Sequence, residues 1–338
     1  MTGIYHHELF GRHLLGYPHP ESPSRYHAVM QRLHECDFAG DLGFVEARPI
    51  DPELLAAVHE RRYIDGILSL KVDDAVVLDW GDTVATPDSV QAALHAAGAA
   101  VQACKAVLSG KLDNAFCPVR PPGHHAERDR AMGFCIFNNI AVAAAWLLAE
   151  GGLDRVAIVD WDVHHGNGTE RIFIEDPRVL YISLHQYPHY PGTGPHSMVG
   201  TGPGTGFNIN IPLGAGAEDA LYRGEFKNHV LPALDRYAPE FILISCGFDG
   251  HRDDPLAGAQ LTTGIFGEMT AMVMDAAAKH CGGKIVSLLE GGYDLEALAD
   301  CTELHVGILA GKRTTPPAPS QVLRNRSFEL NDRSGTAG

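Results

Sequence analysis

Six short stretches of the chain are apolar almost without interruption: 114–119 (NAFCPV), 156–161 (VAIVDW), 179–184 (VLYISL), 207–211 (FNINI), 241–246 (FILISC) and 284–289 (KIVSLL). Their length and β-rich composition predict strands buried on both faces. Longer segments with helical spacing lie between them, at 88–109, 137–150, 218–236 and 264–280. Strand–helix alternation predicts one open parallel sheet with helices on both faces. No internal repeat interrupts the pattern. One domain is expected over 1–312, followed by a polar, loosely ordered tail over 313–338 that contains TTPPAPS.

In an open parallel sheet, ligands bind beyond the carboxyl ends of the strands. Four polar clusters fall there: RPPGHH after 114–119, DWDVHHGNG after 156–159, GFDGHRDDP after 241–246 and EGGYD after 284–289. All four should meet on one edge.

Composition narrows the choice of partner. The formal net charge is −16, which argues against non-specific nucleic-acid binding, because phosphates call for a basic face. The 7 cysteines include no C-x-x-C pair, so a reducing, cytoplasmic setting is the expectation. No apolar run of about 18 residues predicts a membrane span. The sequence leaves homo-oligomerisation open.

Asp160, Asp162 and His164 stand at i, i+2 and i+4, so in extended chain their side chains converge. Asp and His together suit zinc, iron or another divalent ion. Asp249, in CGFDGH, is placed to add a second carboxylate. Two carboxylates and one imidazole leave a position open for water and substrate, which is the catalytic pattern. They also neutralise the ion, so its water needs a separate base. His124 and His125, stiffened by Pro121-Pro122-Gly123, are the candidates. Each needs an orienting partner, and Asp160 and Asn167 can supply one apiece. Gly291 and Gly292 predict a mobile backbone that swings the Tyr293 phenol over the metal, where it would hold an oxyanion.

Together, RPPGHHAERDRAMGFCIFNN, VDWDVHHGNGT, SLHQ, CGFDGHRDDPLAG and LEGGYDL resemble the zinc-dependent histone deacetylase family, in its class II-like form with bacterial amidohydrolase relatives. The likeness runs from about His19 to Gly307. It implies the arginase/deacetylase fold and hydrolysis of an acetyl-lysine-like amide to acetate and free amine. It implies Zn²⁺ on Asp162, His164 and Asp249, with His125 as the base and His124, paired with Asp160, as its electrostatic partner. The division of roles between these two imidazoles is left open, as is the native metal. Tyr293 matches the carbonyl-polarising tyrosine, with Gly291 on the substrate side of its motif. Phe134 matches one wall of the acyl-lysine channel, Gly133 leaves room beside it, and Tyr190 is the candidate for the opposite wall. Its loop, SLHQYPHYPGTG, departs from the family pattern.

The resemblance further implies K⁺ held by Asp160, the backbone of Asp162 and His164, and Ser183 with Leu184. A second cation site would lie over 173–179. Arg25 matches an arginine of the acetate-exit channel. Polyamine-specific relatives carry an acidic gatekeeper where this chain has Leu256, which favours acylated lysine over acetylpolyamine. An acetylpolyamine amidohydrolase is the nearest alternative. A two-metal ureohydrolase lacks enough bridging Asp ligands. A non-enzymatic acyl-lysine binder has no need of Tyr293 and His125.

Overall fold

The computed structural model describes residues 1–79 and 81–314. Among the described residues ten strands occur in chain order: β1 (Thr2–His6), β2 (Leu42–Glu46), β3 (Val76–Val77), β4 (Val84–Ala85), β5 (Asn114–Cys117), β6 (Val156–Asp160), β7 (Val179–Gln186), β8 (Asn208–Leu213), β9 (Phe241–Cys246) and β10 (Ile285–Leu289). Eight form one sheet in the order β2-β1-β5-β10-β9-β6-β7-β8, and every pairing is parallel. Strands β3 and β4 make a separate antiparallel hairpin. All six predicted strands are present. Strands β1 and β2 were not anticipated. β1 is five residues long with a glycine inside, and β2 is an edge strand with three half-buried residues, so neither shows a continuous apolar run.

Three predicted helices occur as Ser89–Leu108, Asn139–Ala149 and Thr263–Cys281. The fourth is divided. Asp219–Glu225 passes through a π turn, Phe226–Val230, into Leu231–Tyr237. Pro232 has no N–H to bond back into that turn. Helix Asn139–Ala149 is apolar nearly all round, and it is buried accordingly. The Asn138 side chain caps it, accepting from Ala141 N at 3.0 Å. Helices Pro23–Glu35 and Leu295–Leu309, also unanticipated, pack against each other.

The central strands β10, β9 and β6 are buried throughout. Because all eight strands run the same way, the segments after β5, β6, β7, β9 and β10 emerge on one edge. Arg313, the first residue assigned to the tail, pairs with Glu303 at 2.8 Å and lies over the Phe38 ring. Residues 315–338 lie outside the described residues. No helix among the described residues is long and apolar enough to cross a membrane.

Candidate metal centre and its acid–base groups

Strand β6 ends at Asp160, so Asp162 and His164 lie beyond the extended chain. The i, i+2, i+4 alternation therefore does not place them. Successive carboxylates curl the backbone instead. Asp160 Oδ1 accepts from Asp162 N at 3.2 Å, and Asp162 Oδ1 accepts from His164 N at 2.8 Å. Asp162 and His164 then meet Asp249 from the end of β9, with their ligand atoms all within 4.8 Å of one another and buried. His164 Nδ1 stands 3.2 Å from Asp162 Oδ1 and 2.9 Å from Asp249 Oδ2. Asp160 turns away from this group and accepts from Tyr181 OH at 2.9 Å.

Two features fit the triad to a cation. Burial, and then the charge of Asp162, push the Asp249 pKa up to about 7 despite its bond to His164, so two buried carboxylates share one imidazole. The surrounding backbone is also glycine where it comes closest. A Cβ on Gly247 would strike Asp162 Oδ2, and one on Gly291 would strike Asp249 Oδ2. The oxygen-rich donor set with one imidazole suits zinc or iron(II).

The adjacent imidazoles of His124 and His125 lie 4.0 Å apart, centroid to centroid, in unlike surroundings. His124 Nδ1 meets Asp160 Oδ2 at 3.1 Å. Burial opposes charge on His124, but Asp160, Asp162 and Glu290 outweigh it and push its pKa up to about 10. His125 Nδ1 meets the neutral Asn167 Oδ1 at 2.8 Å. Burial, His124 and His164 hold the His125 pKa well below the ordinary imidazole value. The surroundings thus favour the charged form of His124 and the neutral form of His125. Glu290 also fixes the loop that carries both. Its Oε2 accepts from Gly123 N at 2.7 Å and His124 N at 3.2 Å, and its Oε1 accepts from Ser245 Oγ at 3.0 Å.

The Gly291-Gly292-Tyr293 strap is pinned at every residue. Gly291 N donates to Asp162 Oδ2 at 2.7 Å, Arg25 Nε to Gly292 O at 2.6 Å and Tyr293 N to Asp254 Oδ2 at 2.6 Å. Gly291 serves close approach to Asp249 and Asp162, and Gly292 takes a φ of 120° beside Leu298 and Phe248; the strap is held in place rather than free to swing as expected. The Arg25 guanidinium also lies 4.9 Å from the Tyr293 ring centroid and pairs with Glu21 at 2.8 Å.

Phe134 and Tyr190 stand over the centre. The Phe134 ring meets Tyr293 edge-on at 6.0 Å, and Tyr190 meets His125 edge-on at 5.3 Å. Phe134 has φ 69°, a left-handed conformation rare for an aromatic residue, and Thr83 Oγ1 holds its N–H at 3.0 Å. Gly133, at φ 56°, lies so near His125 that a Cβ would strike the imidazole. Leu256 joins the rim through its backbone, donating to Asp254 Oδ1 at 2.9 Å and accepting from His189 Nε2 at 3.1 Å. Ser183 lies beside Asp160 in register, but its hydroxyl bonds His185 Nδ1 at 2.9 Å, and Leu184 is fully buried.

Glu290, Asp254, His189, Tyr181 and Glu21 were not anticipated. Glu290 and Asp254 stand inside the quoted motifs, and their position beside the ligands was the available signal. His189, stacked on His164 at 5.0 Å, gave none, because its partner is a backbone carbonyl 67 residues away.

The candidate Asp/His/Asp ligands and the paired histidines thus lie together on the carboxyl edge of an open parallel sheet. The family model for the histone deacetylase domain matches residues 19–309, and the chain belongs to that family. It is 40% identical to a probable deacetylase of Archaeoglobus fulgidus over 92% of this chain and 86% of that protein. It is 41% identical to a histone deacetylase-like amidohydrolase of Pseudomonas aeruginosa, over 89% and 79% respectively. The crystal structure of the HDA15 HD domain matches with TM-score 0.85 at 37% identity, covering 94% of this chain and 90% of that one. The fold is that of the arginase/deacetylase class.

Proposed function

We propose that the chain is a zinc-dependent amidohydrolase that removes acetyl or similar short acyl groups from acylated lysine. The observation that carries the reading is the pair of unlike imidazoles beside one open three-ligand site. Zinc held by Asp162, His164 and Asp249 would supply Lewis acidity to the amide oxygen and the attacking water. Neutral His125 takes the proton of that water through Nε2 as the new C–O bond forms. Cationic His124 lowers the energy of the negative charge that develops. The Tyr293 phenol, its pKa raised well above the ordinary value by burial and Asp249, stays protonated and donates to the oxyanion. When the C–N bond breaks, His125 returns the proton to the leaving nitrogen, giving acetate and free amine.

Phe134 and Tyr190 would flank the acyl-lysine stem, with Gly133, Gly291 and Leu256 around it, and Arg25 would line the acetate exit. A potassium ion would sit on Asp160, on the backbone of Asp162 and His164, and on Ser183 with Leu184. Seven buried free cysteines support a reducing compartment. The domain is taken to end near residue 312. Acetylpolyamine hydrolysis is the second reading, because Asp79 and Asp82 lie near enough to Tyr190 to raise its pKa after burial does so.

The test is turnover of the zinc-loaded chain on an acetyl-lysine peptide and on N-acetylputrescine, with a chelator control. Chelator-sensitive hydrolysis that favours the peptide is expected. Preference for acetylputrescine would transfer the protein to the second reading, and hydrolysis of neither would reject acetyl as the acyl group and turn the test to lysine peptides with longer acyl chains.

A further inference from the structure

We propose that Glu127 is a positioning residue that sets the tautomer of His125 through Asn167; this rests on the reading of His125 as the base. A neutral imidazole carries its one proton on either nitrogen, and only the Nδ1–H form leaves Nε2 bare to accept a proton. The neighbour at Nδ1 decides between the two forms. That neighbour is a carboxamide, which has nearly the same shape when its oxygen and nitrogen are exchanged. Asn167 by itself therefore cannot fix the tautomer. With its oxygen towards His125 it makes Nδ1 the donor. With its NH₂ towards His125 it would force the proton onto Nε2 and silence the base.

The far end of Asn167 settles the matter. Asn167 Nδ2 faces Glu127 Oε1 at 2.9 Å, His125 O at 3.4 Å and Met132 Sδ at 3.4 Å, and all three are acceptors. The carboxylate makes the strongest of these bonds because it carries charge. Turning the amide over would set its oxygen against that charge. Glu127 is itself held. The residue is 5% exposed, Arg130 Nη2 stands 2.8 Å from its Oε2 and Arg171 Nη1 stands 3.4 Å from it. The line Arg130–Glu127–Asn167–His125 thus carries donor and acceptor polarity in one direction, from the surface to the base. A carboxylate at 167 would accept with either oxygen and would need no such partner.

The experiment compares zinc-loaded full-length wild type, His125→Ala, Glu127→Gln, Asn167→Asp and the Glu127→Gln/Asn167→Asp exchange. It measures kcat, KM and zinc content. In Glu127→Gln the facing amide can present either end, so Asn167 loses its orientation. Loss of one charge-assisted hydrogen bond predicts a kcat about 10- to 100-fold lower, with KM and zinc content unchanged. The ceiling for a wrong tautomer is roughly 10⁴-fold. The exchange variant should recover tenfold or more of the loss, while Asn167→Asp with Glu127 in place should gain nothing. That non-additivity marks coupling through the amide.

Unchanged kcat in Glu127→Gln, a loss not recovered by the exchange, or an equal gain in both backgrounds would overturn the proposal. Loss of zinc or of folding in Glu127→Gln would overturn it too, by assigning Glu127 to the integrity of the centre. His125→Ala separates the two levels. If it retains turnover, the base reading fails. If it is inactive while Glu127→Gln is normal, only the role of Glu127 falls.

Discussion

Tyr293 can act only with its proton in place, and burial together with Asp249 secures that. Its hydroxyl touches no metal ligand in the hydrogen bonds formed, so its removal should spare the ion. Tyr293→Phe is expected to bind zinc at wild-type stoichiometry and to lose about 10²–10³-fold in kcat, the usual effect of one oxyanion donor. Steady-state kinetics with metal analysis checks this, and unchanged turnover would place the donor elsewhere. The candidate ligands were legible at this scale through residue type at the strand ends, although the alternation expected to converge them stops with β6 at Asp160. The charge states of His124 and His125 were not. They depend first on burial, which only the folded sheet supplies, and for His124 also on Asp160, Asp162 and Glu290, the last 166 residues away in the chain.

The elements are joined beneath the site by a buried charged cluster. Glu21, just before helix Pro23–Glu35, pairs with Arg25 on that helix and with Arg120 after β5. Burial opposes its charge, but Arg120 and Arg25 outweigh that and lower the Glu21 pKa from 4.5 to about 2. A folded pKa below the unfolded one gives stability that is present in full above pH ~4.5 and is lost as pH falls towards 2. Its size is about 3 kcal/mol. Glu21→Gln also leaves two guanidinium groups short of a partner and should cost about 3–5 kcal/mol at neutral pH. Urea melts of both proteins from pH 6 to pH 3 test the assignment. The wild-type advantage should shrink across that range, and a constant gap would exclude Glu21 as the titrating group. The sequence marked β5, β6, β7, β9 and β10 because burial on both faces writes itself as an unbroken apolar run, and it marked the edge strand β8 through its alternating isoleucines. It did not mark β1, which is buried but short and broken by Gly3, the half-buried edge strand β2, or helix Pro23–Glu35, whose exposed polar positions dilute the pattern.

At the scale of the molecule, one ion would join the middle of the sheet. His164 and Asp249 are 85 residues apart in the chain yet adjacent in space, because β6 and β9 are neighbours. The unfolded chain separates these ligands, so binding free energy becomes folding free energy. Free zinc at about 100 to 1,000 times its Kd would add roughly 2.7–4.1 kcal/mol. For a chain of this size that corresponds to a Tm rise of roughly 4–6 °C. Differential scanning calorimetry of chelator-treated protein, with and without added zinc, measures the shift. Asp249→Ala should abolish the zinc-dependent rise. Its own zinc-free Tm need not fall, because the substitution removes a carboxylate whose burial and repulsion by Asp162 outweigh its bond to His164. A variant that still gained several degrees on zinc addition would show that the ion stabilising the fold binds elsewhere. A wild type that gained nothing would show that the centre binds too weakly to contribute to the fold.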